Sequence, residues 1–182
     1  HRIAARCGDA AKRVVVRTFH SLCAWFLRCE AKRIGLPADF VIVDDDDSLD
    51  ILKACADDLG YSDLLRPRGY DNPAIKLLNS ISDAKLAALD SDDGAAEVAV
   101  VPRTVFNILD GEERKLACAY QDELESQHAL DFADLVYLTG SSLNARGGIY
   151  KRWAQRFSLI QVDEMQDTHM SEYLVFRMLA AR

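Results

Sequence analysis

The sequence contains the stretch Phe157-Ser-Leu-Ile-Gln-Val-Asp-Glu-Met-Gln-Asp-Thr168, in which a short apolar run ends in two adjacent acids. The run, Leu159 to Val162, has the length of a buried strand in an α/β sheet. Asp163 and Glu164 follow it directly, where the carboxyl ends of parallel strands bind ligands. One carboxylate there suits a hydrated Mg²⁺ that carries nucleotide phosphates, and its neighbour suits polarising a water molecule. The alternative interpretation is a strand that ends in a solvated acidic turn.

The composition indicates a soluble intracellular protein without indicating a function. Of 182 residues, 49% are hydrophobic, which is enough for one domain or a small pair. We expect no membrane segment and no signal peptide, because no apolar run approaches about 20 residues. The five cysteines form no Cys-x-x-Cys pair, which favours reduced thiols in a cytosolic protein. The net charge of −7 does not by itself indicate nucleic-acid binding, although basic residues crowd the start of the chain, at Arg2, Arg6, Lys12, Arg13 and Arg17.

A second strand is predicted at Val14-Val-Val16, and the polar turn Thr18-Phe-His-Ser21 follows it. Apolar residues then recur at helical spacing to about Ile34, with Ser21 as the predicted N-cap and Gly35 as the end of the helix. Strand, turn and helix make half of a βαβ unit. We therefore expect this turn at the same sheet edge as the two acids.

The chemistry of the turn suits nucleic acid. Its hydroxyls and the helix N-terminus match phosphate oxygens, and exposed rings of Phe19 and His20 would match bases. The alternative is that Phe19 packs in the core and His20 only closes the turn.

Helical spacing predicts further helices, at residues 49–59, 73–89, 112–127, 149–157 and 170–181. The acids Asp44 to Asp47 precede the first of these, and they suit capping of its N-terminus better than a metal site. Gly140 to Gly148 is predicted to be a flexible connector.

The segment Val162-Asp-Glu-Met-Gln-Asp-Thr168 closely resembles the Walker B element of the UvrD/Rep family of superfamily 1 DNA helicases, V-D-E-[YF]-Q-D-T-N. Met165 replaces the family's aromatic residue and His169 replaces its Asn. Four further segments resemble family elements in the family's order, namely T-F-H-S at Thr18, F-x-[IV]-x-D-x-x-D at Phe40, I-S-x-x-K at Ile81 and L-D-F-x-D-L at Leu130. The resemblance covers nearly the whole chain.

The resemblance implies an α/β fold, namely part of a RecA-like P-loop NTPase motor domain (1A) with an inserted, mostly helical subdomain (1B). It places 1A at residues 1–38 and 130–182, and 1B at residues 39–129. The chain contains no Gly-x-x-x-x-Gly-Lys-[Ser/Thr] loop. We therefore expect a fragment of the first motor domain that does not hydrolyse ATP by itself.

By analogy with the family, ATP and Mg²⁺ are the cofactors. Asp163 would hold Mg²⁺ through the nucleotide, Glu164 would orient or deprotonate the attacking water, and Gln166 would join them in contacting the nucleotide. Asp167 and Thr168 would couple the nucleotide to the DNA. The residues expected to touch DNA are Thr18, Phe19, His20 and Ser21. The resemblance also implies single-stranded and duplex DNA as partners, accessory repair or replication proteins, and a place in the bacterial cytosol or nucleoid.

Three other functions compete with this interpretation. A non-catalytic DNA-binding or protein-docking module could share the shape of a motor domain. A metal-dependent nuclease could use Asp163, Glu164 and the run Asp44 to Asp47. A hydrolase that uses Ser21 and His20 is disfavoured, because adjacent residues on a turn do not aim their side chains at each other.

Overall fold

The computed structural model describes residues 14–90, 100–145 and 147–180, without the side chains of Asp90 and Asp167. Its helices and strands are α1 (Phe19–Ile34), β1 (Val41–Ile42), α2 (Asp45–Leu59), α3 (Pro73–Asp90), α4 (Gly111–Ser126), β2 (Ala129–Leu130), α5 (Phe132–Asn144), α6 (Gly148–Ala154) and α7 (Met170–Ala180). Short 3₁₀ segments cover Ser62–Leu65, Arg103–Ile108 and Met165–Asp167. This mixture of helices with a small parallel sheet is compatible with the predicted α/β class.

Helix α5 lies at the centre of the described structure. Every residue from Ala133 to Leu143 is buried. The helix packs against α1, α3, α6 and α7. Within the described ranges, no helix is both long and apolar enough to cross a membrane. The four cysteines found there are free thiols, whereas Cys7 and the basic residues Arg2, Arg6, Lys12 and Arg13 lie outside the described residues.

The two short strands are parallel neighbours, with Val41 opposite Ala129 and Ile42 opposite Leu130. The N–H of Val41 donates to the carbonyl of His128 at 3.0 Å, which extends the pairing by one residue. The two ends of segment 39–129 therefore lie side by side, as an inserted subdomain requires. The division into 1A and 1B stays a prediction.

Two predicted strands are wrong. The segments Val14–Val16 and Leu159–Val162 have no strand partner, and the sheet of the described residues consists of β1 and β2 alone. Val16 is 69% exposed and Leu159 is 83% exposed. The physical reason is that β-branched and apolar residues favour a pleated surface, but a strand forms only where a neighbour supplies its hydrogen bonds.

Helix α1 begins earlier than predicted, and its N-cap is Thr18 rather than Ser21. The Thr18 Oγ1 accepts from the N–H of Ser21 at 3.4 Å, and the Ser21 hydroxyl donates back to the Thr18 carbonyl at 2.9 Å. The helix ends as predicted, because Gly35 adopts the left-handed conformation with a φ of 75°. The predicted helices from 49 onward are present, with boundaries that differ by at most four residues within the described part.

The predicted connector Gly140–Gly148 is wrong over its first half, which continues α5 to Asn144. A Cβ on Gly140 would lie 2.5 Å from Cδ2 of Leu89. A larger residue here would displace the Leu89 side chain, so glycine allows α3 to approach α5 closely. Burial on all sides stabilises the helix against the low helical propensity of glycine and serine.

Candidate functional site

The acidic turn, defined as Asp163 to Thr168, exposes both predicted catalytic carboxylates to solvent. Glu164 adopts the left-handed conformation, with φ 51° and ψ 41°. This conformation is uncommon outside glycine and costs on the order of 1 kcal/mol. The N–H of Glu164 donates to Asp163 Oδ1 at 3.1 Å, and the Gln166 side-chain amide donates to Glu164 Oε2. The structure thus brings Asp163, Glu164 and Gln166 together, with Gln166 orienting the Glu164 carboxylate.

The predicted coupling residues lie at the end of this turn, where Asp167 is the last residue of the 3₁₀ segment and Thr168 is its C-cap. The N–H of Thr168 donates to the Met165 carbonyl at 3.2 Å and closes the 3₁₀ segment. Thr168 is half-buried, while the side chain of Asp167 lies outside the described residues. Met165 occupies an exposed position.

The donor set of the acidic turn fits Mg²⁺ rather than an ion that needs a protein cage. Mg²⁺ keeps several waters and binds through one or two carboxylates together with phosphate oxygens, and the exposed Asp163 offers such a carboxylate. In the parts of the chain that the structure describes, no three His, Cys, Asp or Glu side chains are grouped to hold a metal.

The acids Asp44 to Asp47 serve as a helix cap, which confirms the capping interpretation. Oδ1 of Asp44 accepts from the N–H groups of Asp46 and Asp47, both at 3.0 Å. The acids that follow Asp44 lie in the first turn of α2, where negative charge matches the helix dipole.

The T-F-H-S turn, defined as Thr18 to Ser21, belongs to a row of aromatic side chains. The ring centroid of Phe19 lies 5.1 Å from that of Phe176 and 5.6 Å from that of His20. The His20 ring in turn lies 5.1 Å from the ring of Phe132. We call the four residues the aromatic row. Both Phe19 and His20 are half-buried, so neither the fully exposed nor the fully packed interpretation holds.

Phe132 is a residue that sequence reasoning missed. It is 38% exposed although it begins α5, the most buried helix. The signal was present in the sequence, because Phe132 is the aromatic residue of the L-D-F-x-D-L segment that begins at Leu130. A partly exposed ring beside a helix N-terminus suits stacking of a nucleic-acid base next to a phosphate contact.

Helix α7 connects the two predicted sites. The 3₁₀ segment of the acidic turn ends at Asp167, and only two residues separate it from Met170, the first residue of α7. Two turns later, Phe176 of the same helix meets Phe19 in the aromatic row. A displacement of the acidic turn along α7 would therefore reach the T-F-H-S turn through one packed contact.

A buried cluster of charged side chains lies beside Phe132, one residue of the aromatic row. The Lys85 Nζ lies 2.6 Å from Asp131 Oδ2 and 2.7 Å from Asp134 Oδ1, and the Tyr120 hydroxyl donates to Asp131 at 3.0 Å. Asp131 and Asp134 also form a capping box at the start of α5. Because Phe132 stands between these two acids, the cluster fixes its position on the surface.

The charges of this cluster do not balance, because one lysine faces two acids. Burial opposes the charged form of Lys85, but Asp131 and Asp134 together raise its pKa. Burial, followed by the charge of Asp131, raises the pKa of Asp134 from its ordinary value of 3.8 to about 6, against the opposing effect of Lys85. The cluster is therefore electrically neutral only when Asp134 carries a proton.

A pH dependence of stability follows from the raised pKa of Asp134. Between about pH 4 and pH 6 the folded chain binds a proton that the unfolded chain has released, so the free energy of unfolding falls as pH rises through this window. We expect Asp134→Asn to remove a fall on the order of 3 kcal/mol. Urea unfolding of both proteins at several pH values from 4 to 7 measures the difference. Parallel curves for the two proteins would contradict the assignment.

The whole chain is similar to proteins that are described as DNA helicases. The family model described as UvrD/REP helicase N-terminal domain matches residues 1–182. The chain is 37% identical over 188 residues to ATP-dependent DNA helicase UvrD1 of Mycobacterium tuberculosis, an alignment that covers 100% of this chain and 22% of that protein. It is 32% identical over 182 residues to ATP-dependent DNA helicase PcrA of Leuconostoc citreum, covering 100% of this chain and 23% of that protein. The chain thus spans less than a quarter of the length of these relatives.

Proposed function

The chain belongs to the UvrD/REP helicase N-terminal domain family, and on this basis we propose that it is part of an ATP-dependent DNA helicase. In this proposal the whole protein couples hydrolysis of Mg²⁺-bound ATP to movement along single-stranded DNA and to unwinding of duplexes. Residues 1–38 and 130–182 contribute to its RecA-like motor subdomain 1A, and residues 39–129 form the inserted subdomain 1B. Accessory repair or replication proteins in the bacterial cytosol would be its partners.

The observation that carries the proposal is the path from the acidic turn through α7 to the aromatic row. A motor requires that the group which senses the nucleotide moves the group which holds the track. Here the 3₁₀ segment Met165–Asp167 and the contact between Phe176 and Phe19 supply such a path.

The acidic turn has the side chains that ATP hydrolysis needs. A Mg²⁺ ion bound at Asp163 would neutralise charge on the nucleotide phosphates. Glu164 accepts the hydrogen bond of Gln166, so its carboxylate is oriented to accept a proton from the attacking water. Asp167 and Thr168 follow on the segment that leads into α7, which is the position that a coupling role requires.

The T-F-H-S turn and Phe132 supply the surface for DNA. Thr18 and Ser21 place hydroxyls at the N-terminus of α1, where phosphate oxygens are favoured. His20 and Phe132 offer partly exposed rings on which bases can stack.

The test is ATP hydrolysis stimulated by single-stranded DNA, measured on the full-length polypeptide that contains this chain. We expect Glu164→Gln to lower the stimulated turnover by about 100-fold to 10,000-fold, because a general base is removed. ATP binding should persist, since the amide keeps the shape of the carboxylate. Glu113→Gln serves as the matched control, because Glu113 is also an exposed glutamate but lies in the first turn of α4.

Two results would contradict the proposal. Turnover that is unchanged in Glu164→Gln would remove Glu164 from the chemistry. DNA binding without any stimulated turnover in the unaltered protein would identify a non-catalytic binding module with the shape of a motor domain.

A further inference from the structure

A basic and aromatic cluster lies beside the T-F-H-S turn and is not used by the proposed sites. The guanidinium carbon of Arg17 lies 4.9 Å from the ring centroid of Trp25, and that of Arg156 lies 4.7 Å from the same centroid. Arg156 also lies 4.9 Å from the ring centroid of Trp153, which meets Trp25 edge to face at 5.1 Å. We call these four residues the Trp25 cluster.

The two arginines of the cluster have no acidic partner in the part of the chain that the structure describes. Within the described residues neither Arg17 nor Arg156 makes an ion pair, and both side chains are exposed. The nearby carboxylate of Glu30 is already bound by Arg33 at 3.1 Å and Arg152 at 2.7 Å. On a chain with a net charge of −7, this surface therefore carries a local excess of positive charge.

Stacking on Trp25 prepares the arginines to bind phosphate. A guanidinium that lies on an aromatic face keeps its N–H edge free for hydrogen bonds and loses less side-chain entropy when those bonds form. Because both guanidinium carbons lie within 4.9 Å of one centroid, they are at most about 10 Å apart. Neighbouring phosphates of one nucleic-acid strand can span that separation.

The surface beside the cluster has room for a nucleic-acid strand. Such a strand would continue from the T-F-H-S turn, the DNA site already proposed. A depression of about 410 Å³ lies beside Arg156 and is lined by Ala154, Gln155, Arg156 and Ser158. Arg17 directly precedes Thr18, the first residue of the T-F-H-S turn. A strand whose phosphates contact the start of α1 is therefore already next to Arg17.

We propose that Arg17 and Arg156, held on Trp25, bind neighbouring backbone phosphates of the single-stranded DNA that the T-F-H-S turn contacts. This inference rests on the proposed DNA-binding function and adds a second contact surface to it. The contact is made to phosphate, so it is independent of base sequence.

The salt dependence of DNA binding tests the proposal. Each phosphate contact to a single strand contributes about 0.7 to the slope of log K against log salt concentration. We expect Arg17→Gln/Arg156→Gln to lower the slope for an oligothymidylate by about 1.4. Arg17→Lys/Arg156→Lys should retain most of the slope, because the charges remain. Arg66→Gln/Arg114→Gln removes two exposed arginines outside the cluster and should leave the slope unchanged.

Tryptophan fluorescence gives a second and local measurement. The sequence contains two tryptophans, Trp25 and Trp153, and both belong to the cluster. Oligothymidylate should therefore change the intrinsic emission of the unaltered chain, and the double glutamine variant should lose that change. Near-ultraviolet circular dichroism of each variant shows whether the tryptophan packing is intact.

Two further probes distinguish the sources of phosphate. An abasic oligonucleotide should produce the same arginine-dependent slope, because the contact is made to the backbone. ATP at equal phosphate concentration should not change the emission through these arginines, and an arginine-dependent response to ATP would overturn the assignment to DNA.

The possible failures are distinguishable. A double glutamine variant that binds oligothymidylate with the unaltered slope would overturn the inference and leave the proposed function intact. Absence of oligothymidylate binding by the unaltered full-length polypeptide would contradict the DNA-binding part of the proposed function, and the inference with it.

Discussion

Replacing Lys85 with methionine is expected to lower the free energy of unfolding by about 3–5 kcal/mol. The side chain of Lys85 is 0% exposed, and its ammonium group lies within 2.7 Å of both Asp131 and Asp134. Methionine fills most of the volume but leaves two carboxylates in the interior without a cation. Urea unfolding at pH 7.5, followed by far-ultraviolet circular dichroism, measures the loss.

The control for Lys85→Met also removes the negative charges of Asp131 and Asp134, which the single variant leaves without a cation. We expect Lys85→Met/Asp131→Asn/Asp134→Asn to recover most of the lost stability, because a neutral cluster has no uncompensated charge. Asparagine at position 131 can still cap α5, since its side-chain oxygen accepts a hydrogen bond. A triple variant as unstable as the single variant would show that shape, and not charge, makes Lys85 necessary.

Replacing Trp153 with alanine is expected to cost a comparable amount, about 3–5 kcal/mol. Trp153 is 2% exposed, and its ring centroid lies 4.7 Å from that of Phe26 and 5.1 Å from that of Trp25. Its Nε1 donates to Oε1 of the buried Glu30 at 2.8 Å. The large loss arises because α6 is only 7 residues long, from Gly148 to Ala154. The Trp153 side chain therefore provides much of its attachment to α1. Thermal or urea unfolding measures it.

Trp153→Phe separates the hydrogen bond from the packing. Phenylalanine keeps an aromatic ring but has no donor for Glu30. Burial raises the pKa of Glu30, but hydrogen bonds from Trp153 and Arg152 outweigh this effect and lower it, so the lost bond is one to a charged group. Such a bond contributes about 1.5–3 kcal/mol, so Trp153→Phe should be clearly less destabilising than Trp153→Ala. Equal losses would indicate that the hydrogen bond, rather than ring packing, attaches α6.

The local sequence determined the helices and their ends. Helix α3 was predicted to start at Pro73, and it does so. Gly35 ends α1 as predicted, and the acidic run caps α2, although the cap is its first member, Asp44, and the helix begins at Asp45. These features depend on contacts within a few residues of the chain, which is why hydrophobic period and cap chemistry are sufficient. The order of the five motifs likewise determined the family.

The tertiary structure alone decided whether the apolar runs became strands. Val14–Val16 and Leu159–Val162 have suitable residues, but no neighbour within the described part of the chain pairs with them. Gly140 shows the reverse case: its residue type favours a loop, but it lies inside α5, where the absence of a side chain leaves space for Leu89. In each case the deciding partner is distant in sequence.

For the candidate sites too, some features were evident from the local sequence and others only from the tertiary structure. The sequence by itself identified the acidic turn and the T-F-H-S turn, because their chemistry lies in adjacent residues. Only the tertiary structure placed Phe132 beside His20, Lys85 between two acids, and Arg156 on Trp25. The physical reason is that these contacts join residues more than 40 positions apart in the chain, and local periodicity contains no information about which distant side chains will meet.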